Sequence, residues 1–208
     1  MSITSYSTLK TQVFAFSGRD DLSASFDTIV QGAEQLMYNN PEQPLRVREL
    51  ITTTTLTTVA GTNSLALPSG YLGALSALLV VGGKEKELNI TSSAALQRNG
   101  ESGVPSYIAI DDAIKFDYTP DGAYDIKLTY YAKPSALDTT NSTNNVLTNY
   151  PFIYLYGCLS VANDLAGEDQ DSELYYQKML RAVKGAIRSS RKQRYTPGTT
   201  AQNRTWTP

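Results

Sequence analysis

Histidine is absent from all 208 residues of the chain. Its absence removes Ser-His-Asp and Cys-His nucleophile arrangements and every histidine metal ligand, so hydrolytic and metalloenzyme readings start from a poor position. Cysteine occurs once, which excludes an internal disulfide. Cys158 lies in the apolar run Phe152–Leu159, the setting of a buried structural thiol and not of a reactive one. No apolar stretch approaches the ~20 residues of a membrane span, so no membrane partner is expected. The opening Met1-Ser2-Ile3-Thr4-Ser5 has neither the charged nor the apolar segment of a secretory signal. A soluble intracellular product is therefore expected, on which view the Asn-x-Ser/Thr triplets at Asn89, Asn141 and Asn203 are chance. Acidic residues are missing altogether from Leu174 to Pro208.

That last absence is matched by an excess. Eight of the 18 basic residues fall in the same stretch: Lys178, Arg181, Lys184, Arg188, Arg191, Lys192, Arg194 and Arg204. Residues 1–173 are left with ten bases against all 20 acids. Charge separated in this way bears on association and steering more than on fold, and it implies an anionic partner for the C-terminal end. A solvated helix face is the ordinary explanation of three or four charges, but fits poorly with eight and no acid.

The fold class expected is α+β. An antiparallel bundle of two N-terminal and two C-terminal helices carries an inserted antiparallel β-domain and ends in a flexible tail. Residues 1–44 form the N-terminal helical part, 45–137 the β-domain, 138–148 a linker, 149–194 the closing helices and 195–208 the tail. Leu9, Val13 and Phe16 are spaced for a first helix stopping at Gly18. Leu22, Phe26, Ile29, Ala33, Leu36 and Met37 are spaced for a second, capped by Asp20 or Asp21 and ended by Asn39-Asn40-Pro41.

The middle has the texture of short strands, from the Thr-rich run Ile51–Val59 to Tyr124–Ala132, where Ile126, Leu128 and Tyr130 alternate with polar residues. Ser92–Gln97 is expected as one helical turn and Arg98–Val104 as an exposed loop. Asp138–Asn145 is polar, small and aperiodic, the pattern of a mobile surface connector. Asn149 and Pro151 then open a helix burying Phe152, Leu155, Leu159 and Ala162 up to Gly167. The final helix begins among Glu168, Asp169, Asp171 and Glu173 and ends among Arg188, Arg191, Lys192 and Arg194, each charge at its favourable dipole end. At about 100° per residue, Tyr176, Met179, Leu180, Val183 and Ile187 share one face, and Lys178, Arg181, Lys184, Arg188 and Arg191 another. Beyond Tyr195 the composition carries no core pattern. The one tryptophan, Trp206, sits there, and as a favoured interface residue it reads as an anchor for a partner.

No constellation points to catalysis, and no catalytic residue, cofactor or metal site is expected. Gly82-Gly83-Lys84 lacks the spacing of a phosphate loop and reads as a plain turn. The carboxylate pairs at Asp20-Asp21, Asp111-Asp112 and around Glu168–Glu173 all fall at turns or helix starts, where acids have structural reasons to be. The basic helix face has two readings: neutralising phosphates as a nucleic-acid-binding module, or docking on an acidic protein surface.

The order of elements resembles the head-to-tail adaptor (connector) proteins of tailed bacteriophages, in particular the tail-tubular-A-like adaptors of short-tailed phages. Ordered segments carry the likeness: Gly18-Arg19-Asp20-Asp21-Leu22 with Phe26, Ile29 and Ala33-Glu34; Leu67-Pro68-Ser69-Gly70-Tyr71-Leu72; Pro105-Ser106-Tyr107-Ile108-Ala109-Ile110; Leu128–Leu137; Asn149-Tyr150-Pro151; Ala162-Asn163-Asp164-Leu165; and Tyr175-Tyr176. Pro41-Glu42-Gln43-Pro44 departs from relatives that have a more basic helix end. The resemblance implies a non-enzymatic structural protein of the virion, made in the host cytoplasm and placed at the head-to-tail interface. There about a dozen copies form a closed ring under the portal. The ring prolongs the DNA channel without reading DNA sequence and offers a surface to the tail or nozzle protein. By the same resemblance, portal contacts fall on Lys178, Arg181, Lys184, Arg188, Arg191, Lys192, Arg194, Tyr195, Arg204 and Trp206. Tail contacts fall on Arg98, Asn99 and Glu101.

Overall fold

The computed structural model describes residues 2–96 and 101–194, with only the backbone of residues 193 and 194. Among the described residues the architecture is α+β: five α-helices and a seven-stranded sheet. The described residues form two compact units, one from residues 2–49 together with 135–194, the other within Leu50–Pro134.

The first unit is helical. Helix α1 (Tyr6–Ser17) starts on a reciprocal cap: the Thr8 amide donates to Ser5 Oγ at 3.3 Å and the Ser5 amide to Thr8 Oγ1 at 2.9 Å. It stops where expected, at Gly18. Asp20 and Asp21 do not cap the second helix. They lie in a 3₁₀ turn, Asp20–Ser25, where Asp21 accepts two bonds from Arg19 at 2.9 and 3.0 Å. That turn runs on into α2 (Phe26–Tyr38), so α2 has no extended cap residue and no side-chain cap bond. Phe26 receives the rings of Tyr6 and Phe14 edge-on, with centroids at 5.1 and 5.5 Å.

Residues 138–148, expected as a connector, are tied down. Asp138 Oδ1 accepts from the Thr140 and Asn141 amides at 2.6 Å each, and Ser142 O accepts from the Tyr6 amide at 2.6 Å. Short helix α3 (Asn145–Asn149) follows, with Val146 and Leu147 fully buried. Its cap is Asn144, whose Oδ1 accepts from the amides of both residues, and Asn149 closes α3 instead of opening the next helix. Side-chain-to-backbone bonds of this kind leave no hydrophobic period to read.

Helix α4 (Pro151–Leu165) begins with proline at its first position and touches α1, α2, α3 and α5 (Asp169–Arg194). Most of its surface is buried, with Ile153, Tyr154, Cys158 and Leu159 at or below 1% exposure. Phe152 is the exception to the expected apolar face, standing 58% exposed. Gly157 sits where three helices meet, since a Cβ there would lie 3.2 Å from both Ala33 Cβ and Met179 Sδ. Glu34 is buried among these helices and accepts from the Leu137 amide at 3.1 Å and the Tyr154 hydroxyl at 3.2 Å.

The second unit holds the sheet. Its strands are β1 (Ile51–Thr57), β2 (Ser64–Ala66), β3 (Tyr71–Val81), β4 (Lys84–Thr91), β5 (Ser102–Gly103), β6 (Tyr107–Ile110), β7 (Ala113–Phe116), β8 (Thr119–Pro120) and β9 (Asp125–Ala132). Seven of them run in the order β1-β9-β3-β4-β6-β7-β2, with β5 and β8 paired separately. The expectation of a purely antiparallel domain is corrected at two places: β4 pairs β6 in parallel, and so do β5 and β8. A β4-to-β6 crossover requires a longer connection than a hairpin, and residues 92–106 supply it. Ile126, Leu128 and Tyr130 of β9 point into a core shared with Ala77, Leu79, Leu88, Ile108, Ile114 and Phe116, as their alternation predicts.

Candidate functional site

Helix α5 runs for 26 residues and is two-sided. Met179, Leu180, Val183, Ala186 and Ile187 are buried, and Ser190 Oγ accepts from the Arg48 amide at 2.8 Å. Tyr176 is only half-buried, its hydroxyl accepting from Asn40 Nδ2 at 2.6 Å. With this side committed to packing, the helical period turns Arg181, Lys184, Arg188, Arg191 and Lys192 into solvent, and all five are exposed. Among the described residues no ion pair engages any of them; the salt bridges lie elsewhere, at Arg19–Asp21, Arg48–Glu49, Lys115 with Asp111 and Asp112, and Lys127–Glu85. Lys178 differs from its neighbours: it is half-buried, with Nζ 4.6 Å from the Tyr175 ring centroid, a cation–π distance.

Seven of the ten expected portal-contact residues thus lie along α5: Lys178, Arg181, Lys184, Arg188, Arg191, Lys192 and Arg194. Arg194 is its last residue, with an undescribed side chain, and Tyr195, Arg204 and Trp206 lie outside the described residues. So do Arg98 and Asn99 of the expected tail-contact set. Glu101 is described and exposed, its carbonyl accepting from the Thr119 amide at 3.0 Å.

A second surface escaped the sequence reading. Phe16, Pro151, Phe152, Tyr156, Tyr175 and Lys178 line an open groove of about 680 Å³ on the helical unit. Phe152 stacks on Tyr156 with centroids at 5.9 Å, and Tyr156 on Tyr175 at 6.4 Å. Phe16 is 62% exposed at its edge. The one available signal was the four-residue spacing of Phe152 and Tyr156, which places both on one side of a helix.

The Asp111-Asp112 pair, the Gly82-Gly83 turn and Cys158 have structural occupations. Asp111 and Asp112 form the β6–β7 turn, where Lys115 reaches them at 3.2 and 3.0 Å. Asp111 is held below the usual carboxylate range first by the Ser93 hydroxyl and then by Lys115, and Asp112 by Lys115. Gly82 and Gly83, with φ of 55° and 76°, close a two-residue hairpin between the paired Val81 and Lys84. Burial pushes the Cys158 thiol well above its ordinary pKa, which suppresses the thiolate. Among the described residues no group of three or more His, Cys, Asp and Glu gathers as metal ligands, and no helix is long and apolar enough to cross a membrane.

No curated protein matches the chain. The SU10 adaptor protein family matches residues 4–204, nearly the whole length. That agrees with the resemblance carried by the sequence to phage head-to-tail adaptors, and a structural adaptor family implies a non-enzymatic role in a phage particle. The chain belongs to the SU10 adaptor protein family.

Proposed function

We propose that the protein is a head-to-tail adaptor that assembles as a ring under the portal, extends the DNA channel and joins the capsid to the tail. The helical unit and the segment after Arg194 face the portal in this reading, and loops of the β unit around Glu101 face the tail or nozzle protein. The observation that carries it is the basic face of α5, five exposed cations without a carboxylate partner among the described residues, on a helix whose other side is locked into its own core. Cations presented in this way serve an acidic neighbour, and repetition around a ring turns modest single contacts into avid attachment.

The test is retention on purified portal rings of the full chain, of Lys184→Glu/Arg188→Glu/Arg191→Glu, and of a chain ending at Arg194. Helix content by circular dichroism serves as the folding control. Both variants are expected to lose at least tenfold in retention at moderate salt. Undiminished retention of the folded charge-reversed chain overturns the assignment of α5. The competing reading, a nucleic-acid-binding module, draws on the same face. It predicts tight duplex DNA binding by the free protein that falls steeply as salt rises, and gel-shift titration across salt decides between them.

A further inference from the structure

The turn between α4 and α5 is the chemical counterpart of the aromatic groove. Leu165 stands 52% exposed at the end of α4. Around it Asp164, Glu168, Asp169 and Asp171 are all exposed, and none enters an ion pair among the described residues. The turn is rigid. Gly167 takes φ 76°, its amide bonds Asp164 O at 3.0 Å, and the Glu168 amide bonds Asn163 O at 2.9 Å, the closure of a left-handed helix stop. An apolar tip ringed by carboxylates therefore projects from one end of α4. Near the other end lies an apolar, aromatic floor with Lys178 at its rim and Arg181 one helical turn further on. Phe152 and Leu165 are 13 positions apart on one helix, about 20 Å at helical rise, so a copy cannot seat its own turn in its own groove.

We propose that the groove of one copy receives the α4–α5 turn of a second copy. Leu165 enters between Phe16, Phe152 and Tyr156, and Lys178 and Arg181 face Asp164, Glu168 and Asp169. The contact is head-to-tail, so every copy keeps one free groove and one free turn, and the series ends only by closing on itself. This deepens the ring proposed above by naming the surfaces through which copies meet, and it is tested without a portal.

The full chain carrying Thr148→Cys at the groove and Gln170→Cys beside the turn, with Cys158 buried and silent, is oxidised mildly at high concentration and run without reductant. A disulfide forms only where Cα atoms come within about 7 Å. The expected result is a ladder of dimers, trimers and higher species, whereas either single variant stops at dimer. Thr148→Cys with Lys84→Cys reports random encounter and is expected to cross-link at least tenfold more slowly. Adding Asp164→Lys/Glu168→Lys to the first pair should suppress the ladder, and adding Lys178→Glu/Arg181→Glu as well should restore it. No ladder above the random control, or one indifferent to charge reversal, overturns the inference. Portal retention of the unmodified chain, measured alongside, shows separately whether the adaptor reading stands.

Discussion

Glu34 concentrates much of what holds the helical unit in one arrangement. Its Oε1 accepts from the Leu137 amide and the Tyr154 hydroxyl, and Tyr154 in turn accepts from Asn144 Nδ2 at 2.8 Å. Burial raises the hydroxyls of Tyr38 and Tyr154 well above the ordinary tyrosine pKa, so both remain donors. Glu34→Leu orphans two buried donors, each at about 1–3 kcal/mol, whereas Tyr154→Phe removes two bonds, the one to Glu34 and the one from Asn144, each worth about 0.5–1.5 kcal/mol. Urea midpoints followed by helix signal are expected to fall in that order, and equal losses would argue against the network. At the β6–β7 turn, carboxyl pKa values below the ordinary 3.8 mean that the bonds from Ser93 to Asp111 and from Lys115 to both carboxylates stabilise the fold above that pH. The contribution is lost as pH falls through the depressed values. Carbon-detected titration should show both shifts, and Lys115→Ala should return Asp112 further toward its usual range than Asp111, which keeps Ser93.

Between elements a close passage lies at Gly157, whose missing side chain lets α2 and α5 close on α4. Gly157→Val fills space already occupied by Ala33 and Met179, an overpacking expected to cost about 1–3 kcal/mol in a chemical denaturation curve. A neutral result would mean the helices part freely there. Helices α1, α2 and α5 were legible because their buried residues recur at helical spacing, and β9 because it alternates. Strand β4 was not, since only Leu88 of Lys84–Thr91 is buried and pairing with β3 and β6 holds an otherwise polar segment. Asn149 and Phe152 misled for a related reason. A capping residue and an apolar residue announce a type of environment, and which neighbour fills it is decided by chain segments far away in sequence.

In the whole molecule, β1 and β9 lie side by side with Ile51 opposite Tyr131, so the sheet unit begins and ends at one place. A unit with adjacent ends and its own core should stand alone. Residues 50–134 expressed by themselves are expected to give a strand-type circular dichroism spectrum and dispersed amide signals, and a collapsed spectrum would refute this. The basic face of α5 was visible in the sequence at this scale because charge needs no packing partner to be counted. The groove was not, because rings separated by more than a hundred residues had first to be folded together. Cys158, fully enclosed and the chain's sole thiol, gives the protein an internal clock. An alkylating reagent can reach that sulfur only during moments when the helices come apart, so the rate of its chemical tagging counts those openings one by one.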